Sequence, residues 1–401
     1  MTTAIRHQAG TYRAVSPADT WSRIVSELHN FGITRVAEVT GLDEIGIPTF
    51  VAYRPDGTTV TVSIGTGLDP MQAKVSAAME SIEAWHAENP VREPDYLAPA
   101  ASIDLPYDLR ALNIAAHSPL TEHCELHWTT GTGLLTGRSV PVPLDTIRID
   151  FTGASPWAYA LFLPSTNGVA SGNTPVEATL HGLFEVMERE CIADYLTMDP
   201  GKLRYCDIEN ANSEYLSAIV AKLRDVGCAM TVIDITNRLG IPCYAARIWS
   251  ADVPFRFGGF GCHVSAEIAA GRALLEAAQS RLAAVSGARD DIGDTTYRPQ
   301  PNGVGRPDPA DVVPLRANAG TGADPLPGGP DLESVVRYCA GRITEVTGFE
   351  PFTVDLSHDD IGIPVQKAYA PGVRMFDNEK FQHLPPAIRP AKTPTDGEGQ
   401  A

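Results

Sequence analysis

The sequence has no Cys-x-x-Cys pair, no Walker-type phosphate loop and no apolar run of membrane-spanning length. Seven cysteines lie scattered at positions 124, 191, 206, 228, 243, 262 and 339. An odd, unpaired set of that kind argues against a zinc ribbon or a disulfide framework and suits a reducing cytosol. Without a Walker loop, only Gly65-Thr66-Gly67 remains as a weak phosphate-loop signal. Residues 1–17 hold no apolar signal core, so the expectation is a soluble, cytoplasmic protein with no membrane association. Positive charge is short too: 31 Lys and Arg against 49 Asp and Glu leave a formal charge of −18. That balance argues against nucleic acid as a direct partner. It does not argue against a nucleotide, provided Mg²⁺ bridges carboxylate and phosphate. The 401 residues suffice for one large domain or two ordinary ones.

What the chain does contain is a repeated helix face. Met71, Val75, Ala78, Met79, Ile82 and Trp85 recur at three- and four-residue spacing, which predicts a helix with one buried stripe. Ser76, Glu80 and Glu83 fall together on the flank of that stripe. One such glutamate pair is common on solvated helix faces. Here it returns. Leu180, Phe184, Glu185, Met187 and Glu188 repeat Val75, Met79, Glu80, Ile82 and Glu83 position for position, and Leu275, Glu276, Ala278 and Gln279 form a looser third copy. Three solvated faces need not share a phase, whereas three walls of one site would.

A strand signature recurs as well. Glu38-Val39-Thr40 leads to Gly46-Ile47-Pro48, Asp234-Ile235-Thr236 to Gly240-Ile241-Pro242, and Asp355-Leu356-Ser357 to Gly362-Ile363-Pro364. Each reads as acid, aliphatic, hydroxyl, a short turn, then a β-rich run, so a strand–turn–strand–helix unit is expected to repeat. In the first copy a turn at Pro55-Asp56-Gly57 precedes a period-two strand through Thr58, Val60 and Val62. Thr174-Pro175-Val176-Glu177 predicts a helix start with a capping box. Residues 1–20 read as polar and loose, and 21–31 as a short helix. Residues 293–330, dense in Gly, Pro and Asp, read as a flexible insertion, and the tail from Pro385 as extended.

Glu80, Glu83, Glu185, Glu188 and Glu276 are hard oxygen donors of the kind that hold Mg²⁺ beside phosphate. Arg189 and Arg281 each follow a motif and are placed either to meet phosphate or to pair with a neighbouring glutamate. Glu83-Ala-Trp-His86 is a Glu-x-x-His, but a di-iron site wants two of these and the second helix offers Cys191 instead. Cys124, His127 and His263 read as packed or solvent residues. No residue is singled out as a catalytic acid, base or nucleophile.

Ser76-x3-Glu80-x2-Glu83, the Asn167-Gly168 loop ahead of Glu185-x2-Glu188-Arg189, and Glu276-x2-Gln279-x-Arg281 together resemble the YcaO family. Thr40-Gly-Leu-Asp…Gly-Ile-Pro and Gly362-Ile-Pro-Val…Ala-Pro-Gly resemble it as well. The resemblance implies an α+β fold of repeated β-hairpin and helix units, with mixed or antiparallel sheets packed by helices around a central nucleotide site. It implies an N-terminal segment (1–32), a catalytic domain (33–375, with the insertion 293–330) and a Pro-rich tail (376–401). ATP and Mg²⁺ would be the cofactors. Glu80, Glu83, Glu185 and Glu188 would be the Mg²⁺ ligands. Ser76, Asn167, Gln279 and Arg281 would contact nucleotide, with Arg189 and Glu276 beside them.

The activity implied is phosphorylation of a peptide amide oxygen after a nucleophile has attacked that amide. Sulfide would give a thioamide, a neighbouring side chain an azoline, and a chain amine an amidine. Thr66 and Ala84 stand where the family often has Lys and Arg. The runs around Glu83, Glu276 and Arg289-Asp290-Asp291 look most like the stand-alone subgroup that occurs with TfuA proteins. Thioamide formation on a peptide or protein substrate is therefore expected, by a homodimer with a separate TfuA-like or leader-binding partner. A non-catalytic ATP-binding accessory protein is the alternative of another class.

Overall fold

The computed structural model describes residues 3–6, 10–115, 118–149, 160–253, 255–287, 292, 312–315, 329, 331–358 and 361–375. The expected extended tail lies outside the described residues, as does most of the expected insertion.

The chain opens with helix α1 (Pro17–Ile24), strands β1 (Arg35–Glu38), β2 (Thr49–Tyr53) and β3 (Val62–Thr66), and helix α2 (Pro70–Glu88). Strands β4 (Tyr96–Pro99), β5 (Glu125–Gly133), β6 (Ser139–Pro143) and β7 (Val169–Ser171) follow, then helix α3 (Pro175–Leu196) and strand β8 (Arg204–Asp207). Helix α4 (Glu214–Asp225) leads into β9 (Ala229–Asp234), β10 (Cys243–Trp249), β11 (Phe257–Cys262) and helix α5 (Ala266–Ser286). The last elements are β12 (Val312–Pro314), helix α6 (Leu332–Thr347), β13 (Phe352–Asp355) and β14 (Val365–Tyr369).

These elements build one unit three times. Each unit is a helix, three antiparallel strands and a second helix: α1-β1-β2-β3-α2, then α4-β9-β10-β11-α5, then α6-β13-β14-β7-α3. The third is permuted, because β7 and α3 come earlier in the chain than the hairpin they complete. The expected repeat is therefore present, and its cause can be read in hydrogen bonds. In each copy the hydroxyl of the signature accepts a backbone N–H across the turn. Thr40 takes that of Thr49 at 3.0 Å, Thr236 that of Cys243 at 3.1 Å, and Ser357 that of Val365 at 3.0 Å. Gly46, Gly240 and Gly362 sit at φ of 65°, 73° and 70°, a left-handed turn that a side chain would strain.

From each third strand the chain enters its helix at the same interval: Thr66 to Pro70, Cys262 to Ala266, Ser171 to Pro175. Asp69, Ser265 and Thr174 cap the three helices, each side chain accepting an N–H of the first turn. α2 and α5 lie hard against their strands. A Cβ on Gly65 would come within 2.2 Å of the Ala77 nitrogen, and one on Gly259 within 2.3 Å of the Ala273 oxygen. Gly65 is therefore required by the packing of α2 on β3. The sheets are β1-β2-β3, β11-β10-β9-β8-β12 and β4-β5-β13-β14-β7, with β6 on β5.

Three expectations are corrected. Residues 58–61 are not strand: Thr59 is tied to the Glu88 carboxylate, Arg54 spans Glu88 and the Val60 carbonyl, and β3 begins only at Val62. Residues 10–20 are not loose. Tyr12 is buried with its ring 4.4 Å from that of His263, and Ser16 caps α1. Residues 312–314, inside the expected insertion, pair in parallel with β8. Among the described residues no helix is long and apolar enough to cross a membrane.

Candidate active site

α2, α3 and α5 wall one cavity of about 610 Å³. Its lining follows from helical phase. Gln72, Ser76, Glu80 and Glu83 face it from α2, Glu177, His181, Glu185 and Glu188 from α3, and Arg272, Glu276 and Gln279 from α5. The spacing is four, four and three on α2 and α3, and four and three on α5, so each helix turns the same stripe inward. Val60, Val62, Ile64, Val75, Met79, Leu275 and Phe260 add apolar lining. Arg13, Arg189 and Arg272 line the cavity as well, so six glutamates face three arginines.

Backbone amides on facing strands and loops hold the carboxylates. Glu83 Oε1 accepts the Ser171 N–H at 2.7 Å and its hydroxyl at 2.6 Å, Glu185 Oε2 the Gly168 N–H at 3.3 Å, and Glu276 Oε2 the Phe260 N–H at 2.9 Å. Glu188 takes its backbone bond from Cys262. Burial nonetheless raises the proton affinity of all four. Glu83 is pushed up to about 7, mainly by desolvation, against the Ser171 bonds and with Glu185 adding to the rise. Glu276 is likewise raised to about 7 by burial and then by Glu188. Glu185 and Glu188 are raised by burial, opposed chiefly by Arg189. Such a site is short of cations. Its donors are hard oxygens rather than thiolates or paired imidazoles, which favours Mg²⁺ over zinc or iron. Among the described residues no three acidic, His or Cys side chains already close on one metal point. Mg²⁺ needs only one or two carboxylates when phosphate oxygens supply the rest.

Eight of the ten residues singled out from the sequence line the cavity: Ser76, Glu80, Glu83, Glu185, Glu188, Arg189, Glu276 and Gln279. Gln279 accepts a hydrogen bond from Thr66 at 3.0 Å, so the residue standing in for the family Lys is spent on the wall. The other two lie elsewhere. Arg281, 2 % exposed, donates to Asp43 at 3.0 Å, to Asp252 at 3.1 Å and to Ser250, tying the Thr40-Gly-Leu-Asp43 run to α5. Asn167 faces a recess of about 50 Å³ that it shares with Lys367. Lys367 donates to the Thr146 and Ser165 carbonyls at 2.7 and 2.8 Å, and burial lowers it to about 7, against the pull of Glu185.

His86 packs against Trp85 and His358 and donates from Nδ1 to the Ile82 carbonyl at 2.8 Å, away from the cavity. It shares no site with Glu83. His263 is buried against Tyr12 and Phe184, a packed residue as expected.

Sequence reasoning passed over Arg13, Glu177, His181 and Arg272. Three of them were within reach, since Glu177, His181 and Arg272 precede Glu185 or Glu276 by whole turns. Glu177 also departs from the capping box. Its carboxylate turns away from Thr174 to the Asn173 N–H at 3.2 Å, the Ala14 N–H at 2.8 Å and Arg13 at 3.1 Å. That clamp brings the N-terminal residues to the cavity rim, and no local signal announces it.

The family model for YcaO cyclodehydratase, described as ATP- and Mg²⁺-binding, matches residues 64–374. An uncharacterised Mycobacterium tuberculosis protein is 38% identical over 92% of this chain and 84% of its own. A Rhizobium leguminosarum bv. trifolii protein, described as lying in the tfuA 3′ region, is 36% identical over 71% of this chain and 70% of its own. A solved YcaO from Methanopyrus kandleri, bound with AMPPCP and Mg²⁺, superposes with a TM-score of 0.69 at 23% identity, covering 92% of this chain and 94% of that one. The fold, the three-walled carboxylate cavity and the length of the match agree, and this chain belongs to the YcaO family.

Proposed function

We propose that this protein is an ATP- and Mg²⁺-dependent enzyme that activates a backbone amide of a ribosomally made peptide or protein. The observation that carries the reading is the common phase of the three helices, which turns Glu80, Glu83, Glu185, Glu188 and Glu276 into one cavity. A volume of about 610 Å³ suits a nucleotide. Glu80, Glu83, Glu185 and Glu188 would hold Mg²⁺, with Ser76, Gln279 and the apolar lining residues toward the nucleoside. Arg13, Arg189 and Arg272 would meet phosphate oxygens, and Asn167 and Arg281 would support the walls from outside.

Bound ATP would supply a phosphoryl group to the amide oxygen, turning a poor leaving group into a good one. The chain's own part is positioning and charge neutralisation. Among products, we favour the thioamide made with external sulfide, delivered with a TfuA-like partner. The relative in a tfuA 3′ region supports that choice. The family description supports azoline formation as the second reading, with a macroamidine third. Seven free cysteines, six of them buried, suit work in the reducing cytoplasm. We take the working form to be a homodimer.

Coexpression with a neighbouring TfuA-like partner and the peptides encoded beside it tests the product. Thioamide formation requires sulfide and raises a peptide's mass by one O-to-S exchange. Loss of water without sulfide would replace it by azoline or amidine formation. Mg²⁺-dependent ATP binding with no peptide change would leave an accessory ATP-binding role.

A further inference from the structure

Three Arg or Lys side chains are buried among the described residues: Arg54, Arg281 and Lys367. Arg54 is paired with Glu88 and Arg281 with Asp43. Lys367, 4 % exposed on β14, is not paired. It lines the recess of about 50 Å³ that it shares with Asn167. Two of its three N–H groups go to the Thr146 and Ser165 carbonyls, and both of those residues line the recess as well. The ammonium therefore sits at the recess wall. Its third N–H has no acceptor among the described residues. No Asp or Glu among them lines the recess, and the carboxylate that acts on Lys367, Glu185, faces the large cavity instead. Burial accordingly lowers its proton affinity to about 7, as desolvation does when no counter-charge is near.

A buried charge calls for a counter-charge. Asn113 and Asn167 line the recess with carboxamides that make no side-chain hydrogen bond among the described residues, so further N–H donors are at hand. Leu112, Phe162, Val186 and Val373 make much of the remaining wall apolar, which penalises a strongly hydrated ion. One ammonium asks for one negative charge. One water needs about 10–15 Å³ of such space, so the recess admits a small ion and excludes a nucleotide. Building on the proposed thioamide formation, we infer that the recess binds one small, weakly hydrated monovalent anion at Lys367, and that this anion is hydrosulfide, the sulfur nucleophile.

Its place in the fold suits that use. The recess and the large cavity share residues 165–169 as a wall, with Ser165 and Asn167 on the recess side and Thr166 and Val169 on the cavity side. The Gly168 N–H of the same loop holds Glu185. An anion approaching six cavity glutamates is repelled, whereas one held at Lys367 waits a single loop away from them. It also leaves the cavity arginines to phosphate.

The test uses the full chain labelled with ¹⁵N-lysine, without nucleotide or peptide. Sodium hydrosulfide and sodium chloride are titrated in turn against a sulfate background of constant ionic strength. The Lys367 Nζ resonance, assigned by its loss in Lys367→Met, should move and saturate with hydrosulfide, at a dissociation constant about tenfold below that for chloride. Ala111→Leu fills the recess while keeping the ammonium, and should weaken hydrosulfide binding about tenfold in a protein that still melts cooperatively. No saturable movement overturns the site. Chloride binding as tightly as hydrosulfide overturns the choice of ligand, and binding unchanged in a folded Ala111→Leu protein puts the anion elsewhere. A protein that binds Mg²⁺ and AMPPCP by calorimetry but shows no Lys367 response loses this site alone. One that responds to hydrosulfide but binds no Mg²⁺ and AMPPCP keeps the site and loses the proposed function.

Discussion

Glu83, Glu185, Glu188 and Glu276 each have two opposing influences on their proton: a backbone N–H that favours the carboxylate, and burial that disfavours it. Burial wins at Glu83 and Glu276, both raised to about 7. The folded chain then holds protons that the unfolded chain releases near 4.5. Stability from these groups is fully present below that value and is lost as pH rises through about 7. Without ligands, the protein should melt several degrees lower at pH 8 than at pH 5.5 by calorimetry, and Glu83→Gln should flatten that slope. Saturating Mg²⁺ and nucleotide should remove most of it, because a cation does the work of the protons. A melting temperature that rises across the same pH window in the ligand-free protein would contradict the assignment.

The glutamates were legible because helical phase is a local property: 80 and 83, 185 and 188, and 276 with Gln279 can be aligned without a fold. Arg13 could not be found that way. It reaches the cavity through Glu177, 164 residues on, and nothing in its own neighbourhood marks it.

Between elements, the contacts that shape the cavity are made by glycine. Gly65 on β3 and Gly259 on β11 let α2 and α5 sit directly on their strands, where a methyl group would meet backbone atoms that cannot rotate aside. Gly65→Ala and Gly259→Ala should each cost about 3 kcal/mol, the upper end for overpacking. Gly41→Ala is the control, since a Cβ there meets nothing within 4 Å. Denaturant melts of the three variants measure the difference.

A second test concerns the clamp from α3. Glu177 is 2 % exposed and joins Arg13 and the Ala14 amide. Glu177→Ala strands a partly buried arginine, at a cost of about 3 kcal/mol, the low end for a broken buried pair. Amide exchange at residues 10–15 should quicken most, while β9–β11 stays protected.

The elements themselves were partly legible. The strand signature was visible because turn chemistry is local, whereas the permutation of the third unit was not. β7 joins β14 through pairing with residues about two hundred positions later, and a linear reading cannot see such a closure. The misplaced start of β3 has the same origin. Residues 58–61 alternate as a strand would, but Glu88 on α2 takes their hydrogen bonds first.

For the molecule as a whole, electrostatics sets the order of assembly. The formal charge is −18, and the cavity repeats the imbalance with six glutamates against three arginines. A triphosphate brought alone into such a cavity adds anions to anions at low dielectric, a repulsion that burial strengthens. Mg²⁺ alone finds Glu83 and Glu276 still partly protonated near neutral pH and no phosphate oxygens to complete its shell. The two together cancel each other's cost. Nucleotide without Mg²⁺, or Mg²⁺ without nucleotide, should therefore leave the melting temperature within about a degree of the free protein, an amount close to no binding by linkage. Both at about a hundredfold over their joint dissociation constant should stabilise by roughly 2.7 kcal/mol. Glu80→Gln and Glu185→Gln, on different helices, should each remove most of that gain. If only one of the two does, the walls do not share one nucleotide site, and the reading built on their common phase fails.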